Sequence, residues 1–293
     1  MNARQAMLEI QRILRDNSFE RYAPSKKWKL DFNRIQLYKT SKKIFKQKLN
    51  TWGKKYAFTI LLDVSSSMWD ITNKYSPLHS AYKTLRNIYK ILWNFVKIDI
   101  ILFSTLFIKM SWKEFMKYNT PQKFNKFLKD IQLRILYNEE KNVYNLICVK
   151  NKPYKNSLYN YEDLWWTTNE PPAFQYAVEN LRKFNWKTWI ISLCDWENNV
   201  SDLFREMYET IYKILRNDDN LELYVNWIPS KKYNPETLPE QVKEAEKYID
   251  YILWVWLKTD TPKNNYPNFI KINEPEEIYE YIVKIMKYLI YLW

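Results

Sequence analysis

The sequence predicts an α/β fold, a doubly wound and mostly parallel sheet flanked by helices. Three observations lead there. Near-continuous apolar runs (YAFTILLDV from Tyr56, KIDIILFS from Lys97, TWIISLCD from Thr188, YILWVWL from Tyr251) read as strands buried on both faces. Segments with apolar residues at helical spacing lie between them. Polar clusters fall beside the strand ends, at DVSSSM from Asp63, TTNEPP from Thr167 and CDWENN from Cys194. In an open α/β sheet, ligands bind in the loops beyond the carboxyl ends of the strands.

Taken in order, residues 1–54 read as a basic N-terminal extension that opens on a short helix, and residues 55–293 form the main domain. The run from Tyr56 suits a central parallel strand. Ser76-Pro77 offers an N-cap followed by proline at the first helical position. Leu78, Ala81, Leu85, Ile88 and Leu92 then recur at helical spacing. LFIKM, from Leu106, extends the strand of KIDIILFS or pairs with it. Residues 113–131 read as one helix with Phe115, Phe124 and Phe127 on its apolar face. Residues 132–162 are poorly periodic and read as an insertion carrying one short strand at YNLICV. Pro171-Pro172 opens a helix bearing Phe174, Ala177, Val178 and Leu181. After TWIISLCD come a helix at residues 201–216, a strand at 221–228, a second insertion near 228–248 with a polar helix, the strand YILWVWL, and an amphipathic helix over residues 275–292.

Composition narrows the function. The formal net charge is +13, but the lysines are scattered among Asn, Ile and Tyr with no basic block, which argues against nucleic acid as the partner. No apolar run is long and uninterrupted enough to span a membrane, and the charged start does not read as a signal peptide, so the expected location is the cytoplasm. Cys148 and Cys194 are read as reduced, buried thiols. His79 is the sole histidine and is expected to be partly exposed; one histidine argues against histidine-based catalysis and a histidine-liganded zinc. No phosphate-binding glycine loop or nucleophile–base pair is present, so the chain is expected not to be an enzyme.

The loop after the first core strand carries the chemistry. In Asp63-Val-Ser65-Ser-Ser67, side chains at i, i+2 and i+4 of an extended loop can converge. One carboxylate and two hydroxyls are hard oxygen donors that suit Mg²⁺ or Mn²⁺. This segment resembles the D-x-S-x-S start of the metal-ion-dependent adhesion site of von Willebrand factor A (VWA) domains. Two later segments, Trp165-Trp166-Thr167 and Cys194-Asp195-Trp196, resemble the family's Gly-Gly-Thr and Ser-Asp-Gly segments in the same order. The resemblance covers roughly residues 55–290. It implies that Ser65 and Ser67 bind the metal, that Thr167 supplies a third hydroxyl, and that Asp63 and Asp195 hold coordinating waters and balance charge. An open coordination position would take an acidic side chain from a protein partner. Ser66 stands where glycine is usual. Thr168 stands where an acid is common, and the substitution of Thr168 for Thr167 is left open. Asn169, Glu170 and Glu197 are further candidates for supporting or alternative ligands.

The resemblance also frames an oddity of composition. The chain has 1 glycine and 14 tryptophans, where ~20 glycines would be usual at this length. Tryptophan stands where the family has glycine at Trp165, Trp166 and Trp196, and again at Trp254 and Trp256 in the strand that resembles Gly-Ile-Gly. Trp93 follows a helix and Trp186 follows Asn185, both places that favour glycine. Some bacterial lineages read UGA as glycine while another common table reads it as tryptophan, so many of these tryptophans are expected to be recoded glycines.

The basic segment before the domain, RYAPSKKWKLDFNRIQLYKTSKKIFKQKL from Arg21, is similar to the run that precedes VWA domains in cobaltochelatase-type subunits and in proteins working beside hexameric, MoxR-like AAA+ ATPases. That resemblance implies an adaptor for such an ATPase. The alternatives are a non-ATPase subunit of a cobalt or magnesium chelatase complex, and a basic nucleic-acid-binding protein.

Overall fold

The computed structural model describes residues 2, 4–6, 8–10, 12, 22–25, 29–30, 45–48, 56–68, 71–92, 96–131, 133–138, 143–148, 160–163, 168–194, 238–257 and 268–291. The helix expected at 201–216, the strand expected at 221–228, and Trp93, Trp165, Trp166, Thr167, Asp195, Trp196 and Glu197 lie outside the described residues.

Strand β4 (Tyr56–Asp63) is buried along its whole length. It follows three short strands, β1 (Tyr22–Ser25), β2 (Lys29–Leu30) and β3 (Phe45–Lys48), which form a small sheet in the order β1-β3-β2. After β4 come α1 (Pro77–Leu92), β5 (Lys97–Phe103) and β6 (Phe107–Ser111). Later in the chain stand α4 (Glu170–Leu181), β10 (Lys187–Cys194), α5 (Leu238–Ala245), β11 (Tyr251–Leu257), β12 (Phe269–Ile272) and α6 (Ile278–Tyr291). The main sheet runs in the order β12-β11-β10-β4-β5-β6. Every pair is parallel except β5–β6, which forms an antiparallel edge. This is the mostly parallel, helix-flanked α/β fold that the apolar runs predict.

Alternation along the strands builds two cores. Phe58, Ile60 and Leu62 of β4 face one side with Ile100, Leu102, Trp189, Ile191 and Leu193. Leu78, Ala81, Leu85, Ile88 and Leu92 of α1 pack there, with Ile278, Ile282 and Val283 of α6. Ala57 and Leu61 face the other side with Ile101, Phe103, Ile190 and Trp254, beneath Ala173, Phe174, Ala177 of α4 and Val242 of α5. The period of two in the strands thus feeds both layers. Ala6 and Ile10, within the segment read as an extension, are fully buried in the first of these cores. No described helix is long and apolar enough to cross a membrane.

Several elements differ from expectation. The helix read over 113–131 is two, α2 (Trp112–Lys117) and α3 (Pro121–Asp130). Ser111 and Glu114 close a reciprocal capping box on α2, while Thr120 caps α3 and Pro121 occupies its first turn. Proline cannot donate the hydrogen bond a continuous helix needs there. The insertion holds not one strand but three, β7 (Leu133–Asn138), β8 (Val143–Cys148) and β9 (Asn160–Asp163), paired antiparallel as β8-β7-β9. β12 was not anticipated at all; it adds to β11 in parallel register. His79 is buried, not partly exposed, and its Nδ1 lies 2.7 Å from the Ile71 carbonyl. Cys194 is a free, buried thiol as expected.

Phe124 sits at the centre of an aromatic cluster, with ring centroids 5.5 Å from Tyr82 and 5.4 Å from Phe115. Its truncation in Phe124→Ala is expected to lower stability by about 3–5 kcal/mol in urea denaturation. A loss under about 1 kcal/mol would mean that α3 is not fixed to α1.

Candidate metal centre

The switch in strand order places the candidate site. β5 leaves β4 on one side and β10 lies on the other, so the loops at their carboxyl ends part and leave a crevice. Asp63 ends β4, and Leu62 pairs with Leu193, so β10 ends level with it at Cys194. Asp195 follows Cys194 in the sequence, outside the described residues.

The Asp63 carboxylate is fully buried, and its Oδ1 accepts the Ser65 backbone N–H at 2.8 Å. That bond folds the chain back immediately after the strand. Residues Ser66–Met68 then make one 3-10 turn, pinned by Met68, which is fully buried in the core below. The result brings the Ser65 and Ser67 hydroxyls to 2.9 Å of each other. Thr168 reaches in from the loop before α4, donating its hydroxyl to Ser65 Oγ at 3.0 Å. Three hydroxyls and one carboxylate therefore meet at the end of β4. The threonine brought to the cluster is Thr168; Thr167 lies outside the described residues.

A third loop, which the sequence reading missed, sets that threonine in place. Ser104–Leu106 follows β5, and Ser104 and Thr105 are buried. Val64 N–H donates to the Phe103 carbonyl, extending the β4–β5 pairing by one residue. Asn169 N–H donates to the Ser104 carbonyl at 2.9 Å, and its side-chain Nδ2 donates to the Thr105 carbonyl at 2.8 Å. Asn169 thus positions Thr168 by fastening its loop to the neighbouring one. The signal was present as Ser-Thr between two apolar runs, but only tertiary contact gives it a role.

Glu170, first residue of α4, is buried against β10 and β11. Its Oε1 accepts from Ser192 Oγ at 2.6 Å and from Trp254 Nε1 at 3.0 Å. Burial pushes its carboxyl up to about 7, against the downward pull of the Ser192 and Trp254 hydrogen bonds. Among the described residues no three His, Cys, Asp or Glu side chains gather as a metal site.

The donor set fits a small hard dication. Neighbouring ligands of an octahedral Mg²⁺ at ~2.0–2.1 Å stand ~2.9 Å apart, and the hydroxyl spacings are 2.9 and 3.0 Å. These are also the distances of the hydrogen bonds that join the hydroxyls to one another.

No protein-family model and no curated protein matches the chain. Among solved structures it is similar to the vWF domain of the type V pili tip protein Mfa5 from Porphyromonas gingivalis, at 12% identity and TM-score 0.45, over 81% of this chain and 96% of that one. It is similar to the ArnB paralog VWA2 from Sulfolobus acidocaldarius at 12% identity and TM-score 0.35, over 79% of this chain and 45% of that one. It is also similar to a mutant of the PilB minor pilin from Streptococcus sanguinis at 11% identity and TM-score 0.41, over 84% and 65% respectively.

The environment of Glu170 gives a pH prediction. Its folded carboxyl holds a proton more tightly than an unfolded glutamate does, so stability is greatest below about pH 4.5 and falls as pH rises through about 7. Glu170→Gln keeps an acceptor for Ser192 and Trp254 without the charge. In chelator at pH 8 it is expected to be more stable than the parent by on the order of 2–3 kcal/mol, with a flatter pH dependence between 4.5 and 7. Parallel stability–pH curves for the two proteins would contradict this account of the carboxyl.

Proposed function

We propose that the chain is a VWA-type binding module that captures a protein partner through a dication, Mg²⁺ or Mn²⁺, at the end of β4. The observation that carries this reading is the meeting of the Ser65, Ser67 and Thr168 hydroxyls beside buried Asp63 at octahedral spacing. Ser65 and Ser67 hold the ion, Thr168 supplies the third hydroxyl in preference to Thr167, and Asp63 with Asp195 balances its charge. When bound, the dication supplies a Lewis-acidic position for a partner's carboxylate. The chain's part is to keep the donors fixed. Asp63 orders the turn through Ser65 N–H, Met68 anchors it, and Asn169 holds the threonine loop. Neutral hydroxyls leave most of the ion's charge available to an incoming acid, and the module binds without breaking bonds in its partner. The proposed partner is a hexameric AAA+ ATPase of the MoxR type, a choice supported by the basic segment from Arg21.

Titration with Mn²⁺, followed by electron paramagnetic resonance, is expected to show binding by the parent protein and a loss of roughly tenfold or more in Asp63→Ala and Ser65→Ala with unchanged circular dichroism. A parent that binds no Mn²⁺ overturns the site. With a MoxR-type ATPase encoded beside this chain, co-elution in Mg²⁺ is expected to disappear in EDTA; co-elution that survives EDTA separates the partnership from the site.

We also infer that many tryptophans stand for glycine in the native protein. This reading is supported by their positions at Trp165, Trp166, Trp196 and Trp256, where the resembling segments carry glycine. Tandem mass spectrometry of protein from its native source is expected to read glycine at 165, 166 and 196. Tryptophan at those positions overturns the recoding and puts large rings into the loops of the proposed site.

A further inference from the structure

A groove of about 270 Å³ lies away from the strand-end loops, between the outer face of α1, the start of α3 and the turn before α6. Its α1 wall carries Lys83, Arg86 and Lys90, spaced so that all three share one face of the helix. Like charges at this spacing repel, and α1 offers them no relief: its 16 residues include no acid. Lys83 and Lys90 are exposed, and neither forms an ion pair with a described residue. Arg86 is held in place instead. Its Nη1 donates to the Tyr82 hydroxyl at 3.4 Å, and that hydroxyl donates to the Tyr118 carbonyl at 2.7 Å.

Asn87 supplies a second, independent observation. It is 93% buried, at 7% relative exposure, yet it lines the groove and its amide makes no hydrogen bond with any described residue. Its amide atoms are not enclosed by protein, so they open to solvent and can donate to a ligand. It lines the groove together with Lys83, Arg86 and Lys90. Pro121 brings the first turn of α3 to the rim, the end of a helix that carries partial positive charge. Among the described residues the sole acid in the lining is Glu276, which is exposed.

We propose that this groove is a second, metal-independent docking point that takes a carboxylate side chain from an acidic segment of a protein partner. Asn87 N–H and the Arg86 guanidinium give the carboxylate hydrogen-bond donors, and the two lysines draw in neighbouring acids along the segment. The small volume admits one side chain at a time, which suits a single projecting carboxylate better than the continuous charged backbone of a nucleic acid. That favours an acidic peptide over RNA or DNA.

The test uses the full chain in EDTA, so that it stands apart from the metal site, with fluorescein-labelled hexaglutamate as the probe and fluorescence anisotropy as the readout. The double variant Lys83→Glu/Lys90→Glu is expected to weaken binding by ~10-fold or more. The same charge change placed elsewhere, Lys126→Glu/Lys129→Glu on the exposed side of α3, is expected to weaken it by less than ~3-fold. Asn87→Ala, which removes no hydrogen bond from the folded chain, is expected to lower affinity by ~3-fold or more. Equal losses in the two double variants would reduce the effect to general attraction by a basic protein and overturn the site. Unchanged binding in Asn87→Ala overturns it as well. An oligo-dT strand that binds more tightly than the peptide, and loses more affinity in Lys83→Glu/Lys90→Glu, would reassign the groove to nucleic acid.

Discussion

The constraint on which the rest depends is the burial of β4 between β10 and β5. A strand in that place must satisfy its backbone on both edges and offer apolar side chains to both faces, and Tyr56–Asp63 does so over eight buried residues. Its last residue is a carboxylate that has no place inside a sheet. Because the strand order reverses there, the loops on either side diverge, and Asp63 is buried beneath them rather than exposed. The Ser65 N–H bond, the Met68 anchor and the docking of Asn169 on the Ser104 loop all follow from where that strand stops.

Much of this was legible in the sequence because it is governed by local pattern. The four apolar runs became β4, β5, β10 and β11, and Ser76-Pro77 opened α1, with Ser76 Oγ accepting the His79 N–H as an N-cap should. The same rule was available at Thr120-Pro121 and would have divided the helix there. What escaped notice depends on contacts distant in sequence. β12 is four residues long, too short for periodicity to separate it from a loop. The strands of the insertion interrupt their apolar residues with Asn and Tyr, so they lack the apolar run that marked the central strands, and they pair antiparallel. His79 is buried through the Ile71 carbonyl, eight residues away and invisible to pattern. At the site, Asp63, Ser65 and Ser67 could be chosen from spacing within one loop. The contact of Thr168 with Ser65 could not, since Asn169 fastens that loop to a turn more than sixty residues earlier.

The described tryptophans divide by how their N–H groups fare. Trp254 fills the core beneath α4, 6.0 Å from the Phe174 ring, and donates to Glu170. Trp189 stacks on Phe58 at 4.4 Å and Trp112 on Tyr89 at 4.0 Å, but in both the indole N–H is buried with no hydrogen-bond partner among the described residues. Ring stacking offsets part of that cost but does not remove it. Position 254 is therefore informative in its own right. Glycine there would empty the space the indole fills and remove one of the hydrogen bonds to Glu170, so the residue at 254 bears on how tightly α4 is fixed behind the threonine loop.

Among the described residues, the proposed cation site would rest on three hydroxyls and the Asp63 carboxylate. In the absence of an ion, three crowded hydroxyls satisfy one another as donors and acceptors, which carboxylates at the same separation could not do without repulsion. The loops need no counter-charge to stay folded. An arriving dication requires the O–H groups to turn their lone pairs inward, while the oxygens already stand at the spacing of an octahedral edge. The glutamate closest in sequence to the cluster, Glu170, is buried with Ser192 and Trp254 and biased toward its neutral form. Glu170 therefore adds little fixed negative charge beside the cluster, where Asp63 is the buried acid among the described residues.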